Sequence, residues 1–164
     1  MDVLGDPLVR ELLGARLVAV LATRDRDGTI HAVPVWFALH DRSIVLATGS
    51  RSRKVRNLEL DPRATLVVHD SRPGFEVCGA SLVGRVQIVR SDAARPLVDA
   101  VHARYVDEAN APRPARAFLE SDDVALRFVP DGALTWDERA SEANAALRSA
   151  GGAYPLVTTS PRPS

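Results

Sequence analysis

"VAVLATRDRDGTIHAVPVWFAL", Val18 to Leu39, is the segment on which the fold turns. Ala15 to Thr23 reads as a buried strand, and Asp27-Gly28 is a pair suited to a tight turn between antiparallel strands. The pattern resumes at Ile30 as a second strand. It sets His31, Val33, Val35 and Phe37 on one side and Ala32, Pro34, Trp36 and Ala38 on the other. Pro34 has no amide hydrogen for a neighbouring strand, so it marks an edge, a bulge or a break beside a site.

Outward from this pair the same alternation of strand and turn continues. "HDRS" turns the chain and "IVLAT" makes a third strand. After Gly49 the period changes: Ser52 can cap a helix from Arg53 to Leu60 with Val55 and Leu58 on its apolar side, ended by Asp61-Pro62. "ATLVVHD" is a strand, "SRPGF" a turn, and "EVCGASLVGRVQIV" one long or two paired strands, with Gly79 and Gly84 suited to a bend or bulge.

Residues 92–109 predict the longest helix, with Leu97, Val98, Val101 and Tyr105 on one face and Pro96 in the first turn, which would put the start nearer Ala94 than Asp92. "NAPRPAR" is a polar break, "DVALRFVP" a strand, "GALTW" its hairpin partner, and "DERASEANAALRS" a terminal helix. A short helix over residues 4–14 opens the chain. The expected fold is mainly β with flanking helices: a six-stranded antiparallel barrel, closed or partly closed, rather than a doubly wound sheet. It occupies residues 1–148 as a single domain, followed by a turn-rich tail over 149–164.

Composition narrows the function. The 164 residues carry 46% apolar side chains, enough for a core, and only 5% aromatics. The 21 basic and 21 acidic residues balance, which argues against a general nucleic-acid or anionic-membrane binder. Cys78 is the single cysteine, so no internal disulfide can form. No apolar run approaches the roughly 18 to 20 residues of a spanning helix, and the opening residues do not read as a secretory signal. The expectation is a soluble, cytoplasmic protein.

Within that neutral chain, "GSRSRKVRNLELDP" (Gly49 to Pro62) gathers Arg51, Arg53, Lys54 and Arg56 ahead of its first acid. A loop entering a helix at Ser50–Arg53 offers unpaired amides to an anion, and Ser50, Arg51, Ser52, Arg53 and Lys54 would make it a phosphate clamp. Asn57, one turn on, could bond the same ligand or close the loop. The plainer reading is a solvated helix start. "VPVWF" is the second candidate: Val33, Pro34, Val35 and Trp36 could line a planar heterocycle, or simply form a bulged core strand.

His31, His40, His69 and His102 show no metal-ligand spacing, and each reads as a surface or strand residue. Asp122-Asp123 reads as a helix stop and the start of a strand. There is no GxSxG, GxGxxG or GxxxxGK[ST] motif, and Cys78 lies in a strand context where thiols are inert. No general acid, base or nucleophile is assigned. An anion clamp without such groups suits a protein whose cofactor carries the chemistry.

The ordered series "VAVLATRDRDGTIHAVPVWFAL", "IVLATGSRSRKVRNLELDPRATLVV" and a later "GRV" strand resembles the pyridoxamine 5'-phosphate oxidase-like split β-barrel superfamily. Within it, the chain is most similar to actinobacterial flavin/deazaflavin oxidoreductases that use coenzyme F420. The resemblance implies a homodimer with cofactor sites at the subunit interface. It also implies that Ser50 to Lys54 hold the cofactor phosphate with Asn57 beside them in the cofactor site, that Val33 to Trp36 line the ring, and that hydride passes to a small unsaturated substrate. FMN is the alternative cofactor, in an oxidase or reductase of the same fold, and a non-catalytic flavin- or haem-binding protein is the other alternative.

Overall fold

The computed structural model describes residues 2–71, 77–106 and 122–149. The predicted turn after Ser71, the end of the predicted long helix (107–109), "NAPRPAR" and the tail beyond Ser149 lie outside them. A 3-10 turn at Val3–Gly5 leads into helix α1, Pro7–Gly14. Asp6 caps that helix by accepting the amides of Leu8 and Val9 at 2.9 and 3.0 Å, with Pro7 at the first helical position, where its missing N–H costs nothing.

Seven strands follow: β1 Ala19–Arg24, β2 Ile30–Val35, β3 Phe37–His40, β4 Ser43–Gly49, β5 Arg63–Ser71, β6 Val77–Val89 and β7 Asp123–Asp137. Helix α2, Arg53–Leu60, joins β4 to β5; helix α3, Arg95–Tyr105, precedes β7; helix α4, Glu142–Ser149, follows it. The strands form one antiparallel sheet in the order β2-β1-β5-β6-β7-β4-β3. Its two outermost strands, β2 and β3, are separated in sequence by Trp36 alone, so the sheet curls until its ends meet there. This is a split β-barrel.

The inside is filled by Leu21, Phe37, Ile44, Leu46, Leu66, Leu82, Leu126 and Phe128, closed at the ends by α1 and α2. A second cluster lies on the outer face of β3, β4 and β7, where Leu97, Val98 and Val101 of α3 pack on Ala38, Val45 and Ala125. The helical face read from the sequence is therefore the buried one.

Three expectations change. The second predicted strand is two, because the chain turns a corner at Trp36, and the described residues form seven strands rather than six. "DVALRFVP" and "GALTW" are one continuous strand, since Gly132 continues the pairing with Val83 across a bulge rather than reversing the chain. The third helix starts at Arg95 with Ala94 as its N-cap, where Pro96 in the first turn puts it, after a 3-10 turn at Ser91–Ala93. Its C-cap Val106 is already extended, so it ends sooner than read.

The glycines in β6 serve different ends. Gly84 sits at the register shift opposite β7, where a Cβ would run into the Val129 carbonyl oxygen. Gly79 lies in regular pairing and leaves room for the Trp136 ring. Gly28, in the β1–β2 turn, holds φ at +89°, which glycine adopts freely.

Candidate functional site

Where β2 hands over to β3, the end of β4 and the first turn of α2 come together with the start of β7. Between them lies a recess of about 310 Å³, walled by Pro34, Val35 and Trp36 on one side and by Thr48, Gly49 and Lys54 on another. Val18, Ala47, His102 and Asp123 complete it.

Each wall has a local cause. Trp36 stacks on Tyr105 of α3, ring centroids 5.0 Å apart and planes within 6°. Tyr105 is fixed in turn, its hydroxyl donating to the Leu17 carbonyl at 2.5 Å. One face of the indole is thus spent on packing. Pro34 is exposed, and Val33 packs on the core rather than into the recess. Of the four residues read as a ring wall, Pro34, Val35 and Trp36 reach the recess and Val33 does not.

The basic segment divides more sharply. Lys54 turns inward and donates from Nζ to Thr48 Oγ1 at 2.8 Å. Burial pushes its ammonium below the ordinary value, while the Asp123 carboxylate works the other way. Arg53 points away, toward the β1–β2 turn, where two of its guanidinium nitrogens engage Asp25. Arg51 is exposed, and its carbonyl accepts from Arg56 at 2.6 Å. Ser50 bonds Asp122 through both its amide and its hydroxyl, and Ser52 occupies the N-cap position without a side-chain cap bond. Asn57 is buried and donates to Thr23 Oγ1 at 3.1 Å, so it closes the structure between α2 and β1.

Two residues passed over in the sequence also line the recess. His102 is 4% exposed on α3, not on a surface or strand, and its Nε2 lies 3.4 Å from Oδ2 of Asp123. Its Nδ1 has no hydrogen-bond partner among the described residues. Asp123 does enter a strand as read, pairing with Gly49, and that places its carboxylate on the α3 side of the sheet. The only sequence signal for His102 was a polar residue next to Val101 on the apolar face of a helix. Cys78 is buried, and burial raises its thiol pKa, in keeping with an inert structural cysteine. No helix among the described residues is long and apolar enough to cross a membrane.

Residues 6–137 match the pyridoxamine 5'-phosphate oxidase family. The chain belongs to that family. Its split barrel is a cofactor-binding oxidoreductase fold, and several solved structures share it. A conserved hypothetical protein from Mycobacterium tuberculosis is 25% identical with a TM-score of 0.69, over 84% of this chain and 87% of that one. A structure described as an F420 reductase is 23% identical with a TM-score of 0.61, over 76% of this chain and 94% of that one. A haem storage protein from Vibrio cholerae shares the fold at 17% identity and a TM-score of 0.63, over 79% of this chain and 92% of that one. Among curated proteins, none matches the chain significantly.

For a family member, the recess fits a ligand with a flat ring and an anionic arm. Pro34 and Trp36 supply a rigid apolar wall, and Lys54 sets a half-buried cation at the start of α2. Of the loop amides expected to be unpaired, those of Ser50 and Ser52 are bonded to the Asp122 and Gly49 carbonyls.

Proposed function

We propose that this chain is an oxidoreductase that binds F420 in the recess and delivers hydride to a small unsaturated substrate. The observation that carries the reading is Lys54: an ammonium drawn into the recess at a helix start, a few residues from exposed Arg51 and Arg56. A cofactor with a phosphate and a longer anionic tail would use both the inner and the outer cations. FMN carries a single phosphate and would use only the inner one.

When bound, the deazaflavin supplies the hydride. The chain's own contribution is to hold and orient. Lys54 and the amides of α2 would fix the anionic arm, with Ser50 and Ser52 beside them. Pro34, Val35 and Trp36 would set the ring plane, and Val18, Val35 and Ala47 would keep water from that side of it. Asn57 acts through the scaffold, by tying α2 to Thr23.

We further propose a homodimer. The outer face of β1, β2, β5 and the Val83 stretch of β6 leaves Ile30, Val83 and Val18 exposed beside Ala22 and Thr65. Val18 belongs to the recess as well, so a second copy seated on this face would also wall the site.

The alternatives are an FMN-dependent member, and a non-catalytic flavin- or haem-binding protein; the Vibrio cholerae structure is described as a haem storage protein. Titrating the apo-protein with oxidised F420 and, separately, with FMN, followed by ligand fluorescence, separates them. Stoichiometric F420 binding with weak FMN binding supports the proposal. Preference for FMN moves the chain to the flavin branch. Tight binding of either without substrate-dependent reoxidation indicates the non-catalytic binder.

A further inference from the structure

His102, Asp123 and Lys54 line one recess from three different elements, α3, β7 and α2. Nothing in the cofactor-binding reading requires a histidine there. Yet the imidazole is 4% exposed, edge-on to Trp36 at 6.4 Å between ring centroids, with Nε2 3.4 Å from Asp123 and Nδ1 unpartnered among the described residues. The Asp123 side chain is 12% exposed and stands between two basic groups.

We propose that His102 and Asp123 are positioning residues that set how much of the Lys54 charge the recess presents to an anionic ligand. With His102 neutral, the Lys54 and Asp123 charges cancel. Protonating the imidazole draws the carboxylate into a full ion pair and leaves the ammonium uncompensated, so that the trio carries one net positive charge. Anion affinity therefore rises as pH falls through the titration of His102. Binding an anion reciprocally favours the protonated imidazole.

The surroundings isolate this response. The elements packed against α3 are β3, β4, β7 and the 3-10 turn that precedes the helix. They bring His40 from β3, Asp123 and Arg127 from β7 and Asp92 from the turn, and nothing titratable from β4. On α3 itself stand Arg95, Asp99, Arg104 and Tyr105. Among the described residues, only Asp123 lies within ion-pair distance of His102, while Arg95 pairs with Asp99 and Arg104 bonds the Leu13 carbonyl.

This inference rests on the recess being the ligand site, and the test separates the two. FMN affinity is measured by fluorescence from pH 5.5 to 8 for wild type, His102→Gln and Asp123→Asn. In parallel, the His102 imidazole is titrated by NMR in wild type and Lys54→Met without ligand. As pH rises across that range, the ratio of wild-type to His102→Gln affinity is expected to fall about fivefold or more, at the lower end of coupling between linked sites. His102→Gln should keep only the dependence due to the FMN phosphate, and Asp123→Asn should bind well at both ends. Parallel profiles for wild type and His102→Gln would overturn the proposal. Should neither FMN nor F420 bind, the cofactor reading falls and the NMR arm decides. An upward shift of the His102 titration in Lys54→Met then supports the charge coupling, and an unmoved titration rejects it.

Discussion

The guanidinium of Arg53 lies across the carboxylate of Asp25, joining the first turn of α2 to the turn between β1 and β2. The ion pair holds the Asp25 carboxyl below its ordinary pKa and commits a cation that, from sequence, belonged to the anion clamp. Lys54 and Arg53 should therefore differ as ligand contacts. Lys54→Ala is expected to weaken cofactor binding by about 1.5 to 3 kcal/mol. Arg53→Ala should change Kd by less than about fivefold, as for other exposed pairs. Fluorescence titration of both variants at one fixed salt concentration checks this, and equal losses would return Arg53 to the clamp.

Asn57 makes a structural prediction rather than a ligand one. Removing its amide leaves Thr23 Oγ1 without that donor inside a buried junction. Asn57→Ala should cost about 1 to 3 kcal/mol of stability, the usual penalty for stranding a buried polar partner. Urea unfolding of the apo-protein reads it directly. An unchanged midpoint would show that the junction holds without this bond.

Gly84 is the tightest point of the β6–β7 bulge. Its neighbour is a backbone carbonyl, which cannot rotate aside as a side chain could. Gly84→Ala should lower stability by about 1 to 3 kcal/mol, the range for overpacking. Gly14, at the end of α1, is the matched control, because a methyl group there would meet nothing within 4 Å. Gly14→Ala should leave the melting temperature nearly unchanged.

Acid should loosen the contact between α1 and the end of β7. Bonding from Arg139 lowers the Asp137 carboxyl to a pKa of about 2, and the same guanidinium reaches Glu11. An unfolded aspartate titrates near 4. The folded value is lower, so the contribution is complete above about pH 4 and disappears as pH falls toward 2. Melting temperature measured from pH 5 to 2.5 should fall less steeply in Asp137→Asn than in wild type.

The exposed sheet face makes a prediction about assembly. Val83 of β6 is 47% exposed on that face. Light scattering at micromolar concentration should give a dimer mass for wild type and a monomer mass for Val83→Lys. A monomeric wild type would remove the proposed second wall of the recess.

The barrel was legible in the sequence because its evidence is local. Alternation along Ile30–Ala38, the turn at Gly28 and the Ser52–Asp61 helix each need only a short window. The corner at Trp36 was hidden because alternation continues through it, and what holds the indole at the bend is the distant Tyr105 ring. Arg53 looked like a ligand group since its partner, Asp25, is brought close only by the fold. His102 was missed for the converse reason. A single polar residue on an apolar helix face has no pattern of its own, and its meaning depends on Asp123 arriving from β7.

The junction at Trp36 has a consequence for how the protein comes apart. The outermost strands of a sheet are ordinarily where fraying starts and where foreign strands attach. In this barrel those two strands are neighbours across one residue, and that residue forms a wall of the recess. Peeling either edge destroys the pocket, so any occupant of the pocket acts as a clasp on both edges at once. Amide protons of β2 and β3 should then exchange more slowly with ligand present, and resistance to misassembly would be conferred by occupancy rather than by the chain alone.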